Sequence, residues 1–344
     1  MNRRFRLTCA HGLEILLAEE LAELGFRQAE QRPGSVLVTA PESSLAELHR
    51  SRLASRVWMI LVEASSAEQC LAQAAAIDWA RYRWPGDALS LVVAGGSFAD
   101  LSALQNQIDS EAPEGDGGSL LKLRLAAGWL GLELDCSGAD MHQRGYRLAP
   151  CEAPLDENFA VACLRAAEWQ VGEPLYDPCC GAGAFVIEAA LMARPSSRFA
   201  PWHFSRWPGW AEHAPLAQQK RPVVGLLLAS DQAFAAYNSC RDSAQAAGLL
   251  ERISLHRVAL EDMDLTQLPK TGLVTAHPPY DHAQGGDVVR RLLARFHGPL
   301  AAWRLAVLLP ETKGKPHGNL QQKLSFMHAG RRVVLWVGYP GAPC

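Results

Sequence analysis

The chain has no run of about 18 apolar residues, so nothing in it reads as a membrane-spanning helix. There is no G-x-x-x-x-G-K-[ST] loop to cradle a nucleoside triphosphate. His142, His203 and His213 form no H-E-x-x-H pattern, and Cys179 and Cys180 with Cys151 and Cys163 lack metal-ligand spacing, so no metal site is expected. Nine cysteines, an odd number scattered without framework spacing, argue against a disulfide scaffold. A reducing cytoplasm is the expected setting. The first twenty residues (MNRRFRLTCAHGLEILLAEE) are broken by Arg, His and Glu and do not read as a signal peptide. Lysine is scarce, six against 27 arginines, and the net charge is −3, so a broadly basic nucleic-acid surface is excluded. Residues 61–150 carry 6 basic against 12 acidic side chains and would repel phosphate. Against these absences stand 344 residues with 49% hydrophobic and 20% charged, enough for two or three domains with buried cores.

Apolar spacing predicts a helix over 13–24, stopped by Gly25, between short strands at 5–8 and 35–38. A second helix is expected over 43–55, then a strand at 57–62. Residues 67–84 read as helical, and 89–93, 120–125 and 130–134 as strands. The stretch EAPEGDGGS at 111–119 has the composition of a loop. From about residue 151 strands and helices alternate. Strands are expected at 174–176, 223–229, 253–258, 272–276 and 303–309, with a last one in RRVVLWVGY. Helices are expected over 185–193, 232–247 and 287–296. Such alternation implies a mostly parallel sheet covered on both faces, with ligands bound at the carboxyl ends of its strands.

Three loops at those strand ends carry candidate chemistry. Asp177-Pro178-Cys179-Cys180-Gly181-Ala182-Gly183 joins a strand to a helix; its glycines let the backbone turn sharply and approach a ligand, and the helix start offers free N–H groups. Without a third glycine it is not a dinucleotide fingerprint. Asp231 ends the next strand, where a carboxylate can accept both hydroxyls of a ribose or cap the helix that follows. His277-Pro278-Pro279-Tyr280 follows the fourth strand. Its prolines fix the backbone and remove two donors, which leaves carbonyl oxygens facing a site, and Tyr280 supplies a flat face for a nucleobase.

D-P-x-C-G-x-G, an acidic strand end and a P-P-Y loop together resemble the class I S-adenosylmethionine-dependent amino-methyltransferases. With FRLTCAHGLEILLAEELAELGF at 5–26, DMHQRGYRLAPCEAPLDENFAVACLRAAEW at 140–169 and FAPWHFSRWPGW at 199–210, the chain is similar to the THUMP-containing rRNA guanine-N2 methyltransferases over nearly its whole length. The resemblance implies an α/β fold: a ferredoxin-like α+β unit at 1–60, a THUMP-like RNA-binding region at 61–150 and a Rossmann-like methyltransferase domain at 151–344. It implies S-adenosyl-L-methionine as cofactor and RNA, 23S rRNA in particular, as partner. Asp177, Pro178, Cys180, Gly181 and Gly183 would line the methionine and ribose part of the cofactor, and Asp231 would hold the ribose hydroxyls. Glu261 or Asp262 would face the adenine amine. His277, Pro278, Pro279 and Tyr280 would hold the target base, and residues 145–147 with the segment through Asn158 would wall the cofactor pocket.

Two departures stand out. The family loop reads N-P-P-Y, and this chain has His277 instead of Asn; a neutral imidazole nitrogen can accept an amine N–H, a protonated one cannot. That leaves open a working enzyme, a changed substrate, or a catalytically silent RNA- or protein-binding relative. A DNA adenine-N6 methyltransferase shares the P-P-Y chemistry and is a further alternative. Second, residues 99–117 hold no Lys or Arg where the family has a basic helix, which shifts the expected RNA contacts to Arg3, Arg4, Arg6, Arg194, Arg198 and Arg206. Trp202, Trp207 and Trp210 are expected to form a packed cover rather than a stacking strip. Arg290, Arg291 and Arg295 are expected on a solvated helix face.

Overall fold

The computed structural model describes residues 2–83, 89–98, 101–109, 119–126, 128–148, 154–193, 202–210, 225–280, 282–312, 316 and 318–342. The chain divides into two units, one of Met1–Cys9, Leu17–Met141 and Arg198–Ala217, the other of Ala10–Leu16, His142–Ser197 and Gln218–Cys344. Among the described residues no helix is long and apolar enough to cross a membrane.

The elements up to residue 141 are β1 (Asn2–Thr8), α1 (Glu14–Glu23), β2 (Ala29–Arg32), β3 (Ser35–Pro41), α2 (Leu45–Leu48), β4 (Arg56–Ala64), α3 (Ala67–Ala75), β5 (Leu89–Ala94), α4 (Leu101–Asp109), β6 (Ser119–Ala126) and β7 (Trp129–Asp135). The first unit is built on one sheet in the order β2-β3-β1-β4-β7-β6-β5, antiparallel except for the β5–β6 pair. It runs unbroken through β4, which spans residue 60. Strand β6 shows the alternation its sequence announces: Leu121 and Leu123 go into the core while Lys122 and Arg124 take the other face. The helix expected over 43–55 is only a 3-10 turn at Glu42–Ser44 followed by α2. Beyond it the chain turns because the buried Glu20 carboxylate accepts from Ser51 Oγ at 2.5 Å and from the backbone N–H groups of Arg52 and Leu53 at 2.9 and 3.2 Å. Amides spent on a carboxylate are not available to continue a helix. The helix expected over 67–84 ends at Ala75, and a 3-10 turn follows at Trp79–Tyr82. The edge strand β2 went unforeseen. The loop at 111–118 lies outside the described residues.

The aromatic run at 202–210 belongs to this first unit. Trp202 and Phe204 stack at 5.4 Å, Phe204 meets His49 at 4.9 Å, and Trp207 meets Tyr82 edge-on at 5.4 Å. All three tryptophans are buried, as a packed cover requires. Gly138 makes room for it: a Cβ there would stand 2.2 Å from the His203 ring, and its φ of +78° suits glycine alone.

The second unit contains α5 (Glu157–Ala166), β8 (Leu175–Asp177), α6 (Ala184–Met192), β9 (Leu227–Ser230), α7 (Phe234–Ala246), β10 (Ser254–His256), β11 (Leu273–Ala276), α8 (His282–Arg295), β12 (Arg304–Pro310), β13 (Leu320–His328) and β14 (Arg331–Gly338). Its sheet runs β10-β9-β8-β11-β12-β14-β13, parallel from β10 to β12, with β14 inserted antiparallel and β13 at the edge. Residues 223–224 of the expected second strand lie outside the described residues, and β9 is four residues long. Tyr176, Leu228, Val274 and Val307 from the strands pack with Leu292, Phe296 and Trp303 in one core. The order β9-β8-β11 sets the carboxyl ends of three parallel strands side by side.

Candidate active site

Those three strand ends carry the three motifs. Asp177 closes β8 and is buried; its Oδ1 accepts from the Cys179 N–H at 3.2 Å. Burial without a cation pushes its carboxyl up to about 8, a rise the Cys179 amide opposes and the Asp231 charge adds to. Cys180 N–H donates to Ser230 O at 3.1 Å and Gly183 N–H to Cys180 O at 2.7 Å, which fixes the loop against β9. Gly181 and Gly183 both take positive φ, +52° and +83°. They differ in surroundings: a Cβ at Gly181 would meet open space, whereas one at Gly183 would stand 2.6 Å from Cys240 Sγ. The loop is therefore tight underneath and accessible at its turn. The Cys180 thiol, hydrogen-bonded to Cys240 and buried, is pushed well up, so it is no thiolate nucleophile.

Asp231 follows β9. Its two oxygens accept from Gly181 N at 3.2 Å and Ala233 N at 2.9 Å, so one carboxylate ties the glycine loop to the start of α7. Burial raises it as well, against those two amides. Past β10, Glu261 and Asp262 are both exposed. They are not equivalent, because Arg291 Nη1 reaches Glu261 Oε1 at 2.6 Å and Arg295 donates to the carbonyls of Glu261 and Met263 at 2.9 and 2.7 Å. These two arginines thus bind α8 to the loop after β10 instead of forming the solvated face expected of them. Asp287, one turn earlier on α8, pairs with Arg290 and also with Arg291 Nε at 3.0 Å.

After β11 come His277, Pro278, Pro279 and Tyr280. His277 is partly exposed as a residue, yet its Nε2 is enclosed and has no partner among the described residues; the same holds for Thr275 Oγ1 on β11. Burial, helped by His328, drops the His277 imidazole to about 4, so it is neutral at physiological pH. Tyr280 meets His277 edge-on at 5.1 Å, and its hydroxyl lies 2.6 Å from His328 Nδ1. His328, at the end of β13, was not foreseen. On the other flank, Arg144 Nε and Tyr146 Oη donate to the fully buried Glu188 of α6 at 2.8 and 3.1 Å, and Arg147 donates to Leu155 O at 2.6 Å. The segment expected to wall the pocket is thereby anchored to α6, and residues 157–166 form a buried helix.

Three of the arginines expected to meet RNA are engaged within the protein. Arg6 is buried and donates to Glu133 at 2.7 Å, out of reach of any polyanion. Arg3 pairs with Glu42 at 2.8 Å and Arg4 with Glu63 and Glu30 at 2.6 and 3.1 Å. Arg206 is exposed, and Arg194 and Arg198 lie outside the described residues.

A parallel sheet with one antiparallel strand next to its far edge, a glycine loop after its central strand and a carboxylate after the neighbouring one define the fold of a class I S-adenosylmethionine-dependent methyltransferase. Residues 144–296 match the RMKL-like methyltransferase domain (UPF0020), and residues 4–58 match the RlmL ferredoxin-like domain. The chain belongs to this RlmL-like methyltransferase family. It is 32% identical over 347 residues to the ribosomal RNA large subunit methyltransferase K/L of Ectopseudomonas mendocina, covering 88% of this chain and 47% of the relative. To the protein of the same name in Syntrophotalea carbinolica it is 31% identical over 376 residues, covering 95% and 52%. The chain thus spans about half the length of the curated relatives it matches. Among solved structures it superposes on a predicted N6-adenine-specific DNA methylase from Listeria monocytogenes with TM-score 0.79 at 22% identity, covering 98% and 96% of the two chains. TrmN from Thermus thermophilus gives 0.71 at 17%, covering 98% and 99%; both likenesses concern the fold.

The residues present fit S-adenosylmethionine, the cofactor of this fold. The turn at Gly181 faces open space, and the Asp231 carboxylate, which accepts from the Gly181 N–H, offers an acceptor beside it at the start of α7.

Proposed function

We propose that the chain methylates the exocyclic N2 of an unpaired guanine in large-subunit ribosomal RNA, working in the cytoplasm, with residues 61–150 as a THUMP-like, unusually acidic platform between a ferredoxin-like unit and the methyltransferase domain. The observation that carries this reading is the neutral, enclosed His277 with an unpartnered Nε2 at the carboxyl end of β11, beside Tyr280. The large-subunit rRNA relatives support the choice of RNA.

S-adenosylmethionine, when bound, supplies an electrophilic methyl group on a sulfonium. Asp177, Pro178, Cys180, Gly181 and Gly183 hold its methionine and ribose part, and Asp231 accepts from the ribose hydroxyls. Asp262 takes the adenine amine, because Glu261 is engaged by Arg291. The amine needs its lone pair aimed in line, and two acceptors achieve this: His277 Nε2 takes one N–H and the Pro278 carbonyl the other. Nε2 accepts only if the ring proton is on Nδ1. With its proton affinity so low, His277 orients the N–H and does not keep the proton, which the methylated nitrogen releases to solvent. Tyr280 stacks on the base, which must be out of its helix to reach the site.

Labelled methyl transfer from S-adenosylmethionine to total RNA of a strain lacking the protein, followed by nucleoside digestion, tests this. Label in N2-methylguanosine is the expected result. Label in N6-methyladenosine, or no label with the cofactor bound, contradicts it and favours an adenine enzyme or a silent binding relative.

A further inference from the structure

Tyr280 Oη lies 2.6 Å from His328 Nδ1, and His328 Nε2 lies 3.2 Å from Pro154 O. A carbonyl oxygen only accepts, so the ring proton of neutral His328 sits on Nε2, and Nδ1 is left as acceptor for the Tyr280 hydroxyl. The imidazole is itself held in place. It is buried, and Phe159 of α5 meets it edge-on at 5.5 Å while stacking on Phe326, two residues earlier on the same face of β13, at 4.5 Å. The rings of His277, Tyr280 and His328 stand mutually edge-to-face, with centroids 5.1, 5.5 and 5.8 Å apart.

We propose that His328 is a positioning residue for the target base: by accepting from Tyr280 it sets the angle of the ring on which the base stacks, and through the shared edge contacts it keeps the His277 ring upright. The inference rests on the function proposed above and deepens it. The physical need is plain. Tyr280 is half-exposed and would otherwise sample several rotamers, and a stacking face that wanders forfeits alignment at the reacting nitrogen. The hydrogen bond to an imidazole locked by Pro154, Phe159 and β13 removes that freedom without touching substrate.

The test combines nitrogen NMR of the histidine rings with a double-variant cycle. In the wild type, His328 is expected as the Nε2–H tautomer, with an Nδ1 resonance that shifts in Tyr280→Phe. An Nδ1–H tautomer, or a resonance that ignores Tyr280→Phe, overturns the proposal without reference to activity. In RNA methylation, Tyr280→Phe and His328→Phe are each expected to lower kcat/KM about tenfold and the double variant no further, since both remove one hydrogen bond. His328→Asn, which returns an acceptor oxygen near the Nδ1 position, restores most of the rate, and affinity for S-adenosylmethionine stays level throughout. Losses that multiply to about a hundredfold in the double variant overturn the positioning role. Should His328→Phe fail to fold, Tyr280→Phe, which deletes only a hydroxyl, and the nitrogen spectra still decide. A wild type that methylates no RNA removes the base as the object of positioning and the proposed function with it, whereas an active wild type with multiplying losses removes the positioning role alone.

Discussion

In the first unit the fully buried Glu133 accepts from Arg6 at 2.7 Å and faces Arg124 at 3.3 Å, and the buried Asp135 is held by Arg56. At the carboxyl edge of the second sheet the buried Asp177 has a single amide from Cys179 and no cation among the described residues. His277 there has an enclosed Nε2 with no partner among the described residues. Both regions bury titratable groups. The first pairs Glu133 and Asp135 with arginines and uses the pairs to tie distant strands together, Arg6 to Glu133 across 127 positions of sequence. The second does the same for Glu188, which Arg144 holds at 2.8 Å, but at its carboxyl edge Asp177 and His277 are left uncompensated and desolvation shifts them instead. Uncompensated burial lowers stability and is retained where a ligand completes the pairing, so the contrast separates scaffold from site.

Breaking the scaffold has the largest expected effect. Glu133→Ala strands the buried Arg6 guanidinium and should lower unfolding free energy by about 3–5 kcal/mol. Chemical denaturation measures the loss, and hydrogen exchange should place it in β1, β4, β6 and β7. A loss under about 1 kcal/mol, the range of exposed pairs, would mean that the network does not hold the sheet.

The site predicts a smaller effect with an unusual direction. Asp177 is raised from 3.8 to about 8 in the folded chain, so its contribution to stability is fully present below pH 3.8 and is lost as pH rises through about 8. His277 is lowered from 6.5 to about 4, so its contribution is present above pH 6.5 and is lost as pH falls through about 4. The two oppose each other below pH 6.5, and between 6.5 and 8 the Asp177 slope is left without its counterweight. Stability of the wild type should fall across that interval, and Asp177→Asn should flatten it. An equal slope in both proteins would show that Asp177 is charged in the folded state like any surface carboxylate.

The same contrast explains what was legible in the sequence. Glycine and proline punctuate strand ends, so the loops at 177–183 and 277–280 and the acid at 231 stood out, and the parallel order placed them together. The long-range pairs left no local trace: nothing near Arg6 announces Glu133, and a cation that looks free for RNA is consumed inside the sheet. The run at 202–210 sits between α6 and β9, yet it packs in the first unit, because aromatic content shows that a segment will be buried without showing where. His328 was missed for a related reason. Strand β13 reads LQQKLSFMH, an edge strand whose three consecutive exposed residues, Gln321 to Lys323, break the alternation beside a register shift, and its last residue meets Tyr280 across 48 positions of sequence. Between Glu261 and Asp262 the sequence left the choice open; Arg291 on α8 pairs with Glu261, which is the ground for proposing Asp262.

The central claim is that the uncompensated groups at the second sheet's edge await a ligand, and calorimetric titration of S-adenosylmethionine into wild type and Asp231→Ala tests it most directly. The account predicts binding to the wild type and at least about a tenfold weaker affinity in the variant, with the rest of the fold intact, since Asp231 holds the glycine loop and is proposed to meet the ribose. Equal affinity in the two proteins, or no binding to either, would contradict it.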